Sequence, residues 1–207
     1  MKPITDGVID IKKYLESDIK IMWVLKEPYD DFDDEGNPEG GGWSMTDGFI
    51  ENDKIKEEAK KISSWKLMAY TTYGIRTKCH YDDLPWISDE QGVIESLLGI
   101  AYVNISKMPG LTNSSSTDLY ECYENWKKLL FKQIDIYNPD VIIFGGTIAP
   151  FWHDLLSNGI TYTHSNGAID VYSYKGKKMI DAYHPNPKKE KWEVYADSII
   201  NDLIKEG

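Results

Sequence analysis

Three short, almost wholly apolar runs constrain this chain more than any other feature. Residues 19–25 (IKIMWVL), 100–105 (IAYVNI) and 141–144 (VIIF) lack the alternation of a half-exposed strand. Short continuous apolar runs bounded by turn-forming residues read as strands buried on both faces, the pattern of a parallel sheet. Helical spacing fills the intervals: residues 6–15, 54–75, 90–98, 118–137, 147–156 and 190–204 each repeat apolar positions near a 3.6-residue period. Asn138-Pro139 stops the fourth of these helices, and residues 170–174 and 178–183, separated by KGK, read as a hairpin. Strands alternating with helices predict an α/β fold: a three-layer α/β/α arrangement around a central, mostly parallel four-stranded sheet.

At 207 residues the chain fits one domain, expected to span 1–207. A domain of this size buries roughly 70% of its unfolded surface and needs no covalent staple. Cys79 and Cys122 are the only cysteines, too few for an iron–sulfur cluster or an all-cysteine zinc site, so the sequence predicts neither metal nor cofactor. Two isolated cysteines suit a reducing cytoplasm, and no apolar run approaches membrane-spanning length. The expected protein is cytoplasmic, monomeric and without a membrane partner. Its formal net charge of −11 disfavours a mode of action that rests on many phosphate contacts. Acidic residues concentrate in 30–39 and 51–58, and short basic runs lie at 175–178 and 188–191.

In open parallel sheets, ligands bind outside the carboxyl ends of the strands. Those ends are here the most chemically loaded segments: Leu25-Lys26-Glu27-Pro28-Tyr29, Val103-Asn104-Ile105-Ser106-Lys107-Met108-Pro109, Gly145-Gly146-Thr147 and Tyr183-His184-Pro185-Asn186-Pro187. A glycine-rich loop adds Gly42-Trp43-Ser44. In this order the segments resemble the motifs of the uracil-DNA glycosylase superfamily. That family has a carboxylate or amide before a proline after its first strand, an aromatic residue before a serine, an Asn-x-x-Lys-x-Pro strand end and a His-Pro-Ser-Pro motif. The resemblance runs from about residue 19 to residue 191.

The resemblance implies removal of uracil or a related deaminated base from DNA, single-stranded DNA included, or from a nucleotide. Glu27 then takes the position of the carboxylate that orients water near the anomeric carbon, and His184 that of the donor to the departing base. Asn104 both donates and accepts, as reading a base edge requires, and Trp43 or Tyr29 supplies a stacking surface. Lys107, Gly145, Gly146 and Lys188 fall where a phosphate would be held. Taken singly, each residue also has an ordinary structural reading: a strand-end carboxylate, a turn-forming amide, a hydrogen-bonded histidine, a solvated lysine.

The chain departs from the family pattern at three places. Leu25 and Lys26 occupy a position where glycine is usual, Glu27 replaces the aspartate of the best-known branch, and Lys188-Lys189 stand where a leucine wedge fills the gap left by a flipped base. Without a wedge, single-stranded, mismatched or free nucleotide substrates cost less to engage than a duplex. Two other readings remain open on sequence alone: a non-catalytic nucleobase- or nucleotide-binding protein of the same fold, and a hydrolase of a small nucleoside or nucleotide.

Overall fold

The apolar runs form the centre of a sheet because a strand buried on both faces has no polar positions to give to solvent. The computed structural model describes residues 2–28, 35, 40–51, 53–110 and 116–204. Seven strands form one mixed sheet: β1 (Gly7–Val8), β2 (Ile21–Leu25), β3 (Ala101–Asn104), β4 (Val141–Gly145), β5 (Thr161–Ser165), β6 (Ile169–Tyr174) and β7 (Lys177–Ala182). Their order is β1-β3-β2-β4-β7-β6-β5. The four inner strands, β3, β2, β4 and β7, run parallel, while β1, β6 and β5 are antiparallel to their neighbours.

The expected four-stranded sheet is therefore corrected to seven strands. The missed ones have physical excuses. β1 is two residues long, and β5 is exposed along most of its length, so neither carries an apolar run. The hairpin prediction stands, with Lys175 and Gly176 both at positive φ, as a tight two-residue turn between twisted strands requires.

The helices are α1 (Ile11–Leu15), α2 (Met45–Glu51), α3 (Asp53–Ala59), α4 (Ser63–Thr77), α5 (Gln91–Glu95), α6 (Ser116–Tyr137), α7 (Trp152–Ser157) and α8 (Trp192–Ile204). The expected helix 54–75 is broken at residues 60–62, and that at 6–15 shrinks to α1, N-capped by the Asp10 carboxylate. Trp23, Leu25, Tyr102, Ile143 and Ile180 face a core shared with α2 to α5 and α8. Met22, Val24, Val103, Phe144 and Met179 face the opposite core, built with α1, α6 and α7. Both faces of the sheet are thus covered, giving three layers. Among the described residues no helix is long and apolar enough to cross a membrane.

The path of the chain fixes where the strand order reverses. From β2 the chain passes through α2–α5 on one face to reach β3. From β3 it returns through α6 on the other face to β4, on the far side of β2. Reversing both direction and face keeps each crossover the same hand. The reversal lies between β2 and β4, where the connections leave the sheet on opposite sides, the place at which open α/β sheets commonly bind ligands.

Candidate functional site

The carboxyl ends of β2, β3, β4 and β7 meet at this edge because parallel pairing aligns them. Leu25 is in register with Asn104, Val24 with Phe144, and Gly145 with Ala182. The β2–β3 ladder continues beyond the strands, with Ile105 N–H donating to Leu25 O at 2.8 Å and Ser106 N–H to Lys26 O at 2.8 Å. Glu27 and Pro28 therefore leave the sheet beside the loop that follows β3. Gly110 N–H donates to Pro28 O, and a Cβ on Gly110 would stand 2.2 Å from Glu27 Cγ. Gly110 is where the Glu27 side chain lies down.

Asn104 ends β3 and is the least ordinary residue at this edge. It is fully buried, and among the described residues neither Oδ1 nor Nδ2 has a hydrogen-bond partner. Its backbone is held from both sides: the N–H donates to Asp6 Oδ2 at 2.7 Å, and the carbonyl accepts from Lys107 Nζ at 2.7 Å. Leaving a buried amide unpaired costs about 1–3 kcal/mol, so a fold keeps one only where something else uses it. Tyr102, two residues earlier on the same face, is raised above the usual phenol range by burial first, then by the Asp6 and Glu27 carboxylates. The Asn104 amide beside the phenol acts in the opposite sense.

His184 follows β7 on the other side of the reversal. Its backbone N lies 3.3 Å from the point a Gly146 Cβ would occupy, and its Cα 3.8 Å from the corresponding point at Gly145. The imidazole is held below the usual histidine range, by burial first and by the Lys26 ammonium second. At neutral pH it is uncharged, with one N–H to donate and one nitrogen to accept.

The remaining expected residues do not all join this group. Trp43 is 37% exposed and sits in a segment pinned to the N-terminus, with Thr5 N–H donating to Trp43 O at 3.0 Å. That segment reaches the site indirectly: a Gly41 Cβ would meet Pro109 Cγ at 3.0 Å, and Pro109 precedes the Gly110 that carries Glu27. Tyr29 lies outside the described residues. Lys188 is exposed beyond Pro187.

The residues expected at a phosphate are otherwise engaged. Lys107 is 3% exposed, its ammonium bound by Asp6 Oδ1 and Oδ2, Gln133 Oε1 and the Asn104 carbonyl within 2.9 Å. Three N–H donors with four acceptors leave nothing for a ligand. Gly146 N–H donates to Ala182 O at 2.7 Å, and a Cβ at Gly145 would strike Leu25 Cδ2 at 2.5 Å and Pro185 Cδ at 3.0 Å. The glycine pair lets β2 and β7 close over β4, and these contacts account for it without a phosphate.

Two participants carried no recognisable signal. Asp6 is buried and ties Asn104, Lys107 and Gln133 together, the last through Nε2 at 2.9 Å. Nothing in a single sequence says which aspartate a buried lysine will meet. Cys122, on α6, lies within reach of Glu27 and the Ser106 hydroxyl. Burial raises its thiol first, against a smaller lowering by Ser106, and Glu27, Glu121 and Asp118 raise it further, so it stays protonated and is a poor nucleophile.

Among the described residues no group of three or more histidines, cysteines, aspartates or glutamates stands close enough to hold a metal ion. A cleft of about 290 Å³ opens elsewhere, between the N-terminal segment and α6. Ile4, Trp126, Leu129 and Ile136 line it, with Asp6 and Gln133. Neither Glu27, Asn104 nor His184 lines this cleft, although Asp6 and Lys107, which hold the Asn104 backbone, do. No protein-family model matches the chain, and no curated protein matches it.

Proposed function

We propose that this chain is an N-glycosidic hydrolase of the uracil-DNA glycosylase type, acting on uracil or a related deaminated base in single-stranded DNA or in a nucleotide. The observation that carries the reading is the Asn104 side chain: a fully buried amide whose polar atoms have no hydrogen-bond partner among the described residues, at the carboxyl end of a central strand. An amide that both donates and accepts complements the edge of a pyrimidine carrying adjacent N–H and C=O groups. The strand reversal between β2 and β4, with a carboxylate after β2 and a neutral imidazole after β7, supports a glycosylase-like fold and pocket.

The chemistry follows from these groups. As the bond between the anomeric carbon and the base nitrogen breaks, its electron pair leaves with the base, and positive charge grows on the sugar. Glu27 orients a water toward that carbon and takes its proton as the new C–O bond forms. His184, uncharged, donates its N–H to a base carbonyl oxygen on which the negative charge accumulates. Asn104 is fully buried, so reading a base with its side chain requires its surroundings to move.

The net charge and the lysines at 188 and 189 favour small or single-stranded substrates over a duplex. The reading is tested with a gel assay for alkali-labile sites on single- and double-stranded oligonucleotides carrying uracil, hypoxanthine or xanthine, beside release of free base from nucleotides. Cleavage or base release that disappears in His184→Ala is expected. No abasic product and no free base at stoichiometric protein across that panel would contradict it. A second reading, a base-binding protein without turnover, draws on the resting of Glu27 against Gly110, and calorimetric binding of nucleobases without hydrolysis would favour it.

A further inference from the structure

A helix that covers a sheet needs one apolar face, and α6 carries a second stripe beside it. Tyr123, Leu130 and Ile134 belong to the core under the sheet. Trp126, Leu129, Gln133 and Ile136 recur at helical spacing and form a ridge along the side of the same helix. Leu129 and Ile136 remain 38% and 65% exposed, although neither has a polar side-chain atom to offer solvent. This ridge is one wall of the cleft of about 290 Å³, and Pro3 and Ile4 form the other.

The cleft stays open because its second wall is pinned along its length. Lys2 N–H donates to Gly40 O at 2.6 Å, Ile4 N–H to Lys107 O at 2.7 Å and Thr5 N–H to Trp43 O at 3.0 Å. Held in this way, the N-terminal segment does not collapse onto α6. Asp6, Lys107 and Gln133 supply the polar part of the lining, and all three are buried. They satisfy one another: Lys107 Nζ donates to Asp6 Oδ1 at 2.8 Å and to Gln133 Oε1 at 2.9 Å, and Gln133 Nε2 donates to Asp6 Oδ1 at 2.9 Å. The Asp6 and Lys107 charges cancel, so the exposed Lys132 gives the lining its net charge. An apolar cavity of about 150 Å³ holds benzene, so this cleft corresponds to two fused rings. It is too small for a partner helix, whose diameter alone is about 10–12 Å.

We infer that this cleft binds a small planar aromatic carboxylate, its rings between Ile4 and the Trp126–Leu129–Ile136 ridge and its carboxylate at Lys132. The site is independent of the proposed function, since Glu27, Asn104 and His184 do not line it. Covering Leu129 and Ile136 removes apolar surface from water, and the Trp126 indole offers a ring for aromatic contact. Lys132 makes this cleft locally positive on a chain whose net charge of −11 repels anions in general. Because Asp6, Lys107 and Gln133 are already paired, no buried charge loses a partner when the ligand enters.

The test uses two probes of one shape: 2-naphthoate, an anion at neutral pH, and 2-naphthalenemethanol, which is neutral. Calorimetry on the intact chain is expected to show one saturable site for each, with the anion about two- to fivefold tighter, as an exposed ion pair allows. Lys132→Met should bring the two affinities together and leave that of the alcohol unchanged. The double variant Leu129→Gln/Ile136→Gln should weaken both on the order of tenfold. All three side chains are exposed, and unchanged thermal midpoints check that the variants fold. The Trp126 indole N–H signal, assigned through Trp126→Phe, should move with occupancy. No binding of either probe at millimolar concentration, equal affinities in the unsubstituted chain, or binding undiminished in the double variant would each overturn the inference. So would a concentration-dependent dimer in sedimentation that the double variant abolishes, since the cleft would then belong to a second copy of the chain.

Discussion

Individual residues at the strand ends divide into those the fold uses and those it leaves unused. Lys107 belongs to the first kind, its ammonium enclosed by Asp6, Gln133 and the Asn104 carbonyl. Asn104 belongs to the second, since its side chain has no hydrogen-bond partner among the described residues. Asn104→Leu should therefore raise stability by about 1–3 kcal/mol in urea melts while abolishing base binding. A loss of stability would show that the amide is satisfied within the fold. A separate residue-level expectation concerns Asp181, which stands directly across from Asp170 on β6 and β7. Burial first, then Asp170, pushes the Asp181 carboxyl up to about 6. Its unfolded value is about 3.9. The folded state thus holds this proton more tightly, so the contribution of Asp181 to stability is complete below about pH 4 and lost as pH rises through about 6. Asp181→Asn should flatten the fall in thermal midpoint between pH 4 and 7, and an unchanged slope would show that Asp181 is not its source.

Elements carry the site through their ends, and here the sequence was legible in part. The runs 19–25, 100–105 and 141–144 became β2, β3 and β4 because burial on both faces removes the polar positions that would blur a strand. Glu27 and Asn104 accordingly stand at the carboxyl ends of β2 and β3, and His184 follows β7. The break at residues 60–62 was invisible because Lys60, Lys61 and Ile62 contain no glycine or proline. β5 escaped notice because Thr161, Tyr162 and Thr163 are exposed and the strand shows no inward row. The fate of Lys107 was equally hidden, since burial of a lysine depends on Asp6, 101 positions away. Removing one partner of that buried pair should be severe: Lys107→Met is expected to cost about 3–5 kcal/mol, and Asp6→Asn in the same chain should recover part of it in chemical denaturation. Additive losses would mean the pair is not coupled. At the loop after β3, Gly110→Ala forces Glu27 off its bed, where a Cβ would meet Cγ at 2.2 Å. If Glu27 orients water, turnover should fall on the order of 100-fold with base affinity nearly unchanged, and equal turnover would remove Glu27 from the mechanism.

For the whole molecule, the strand ends at the reversal and the acidic charge bear together on what can bind. A three-layer sheet turns four strand ends toward one edge, and the net charge of −11 limits how much phosphate that edge attracts. Affinity for a uracil-containing single strand should therefore fall only shallowly between 50 and 200 mM salt, with a log–log slope well short of the roughly −0.9 per neutralised phosphate that many contacts would accumulate on a duplex. A steep slope in fluorescence anisotropy would reveal an extended basic track and contradict this account. The central claim, however, is that a base is read by Asn104. Nuclear magnetic resonance of the labelled chain addresses it directly, through the Asn104 side-chain NH₂ signals during titration with uracil. On this account those two signals move downfield toward saturation as the amide gains a hydrogen-bond partner, and the His184 ring signals move with them. Uracil bound at saturation with the Asn104 signals unmoved, or no binding at all, would contradict it.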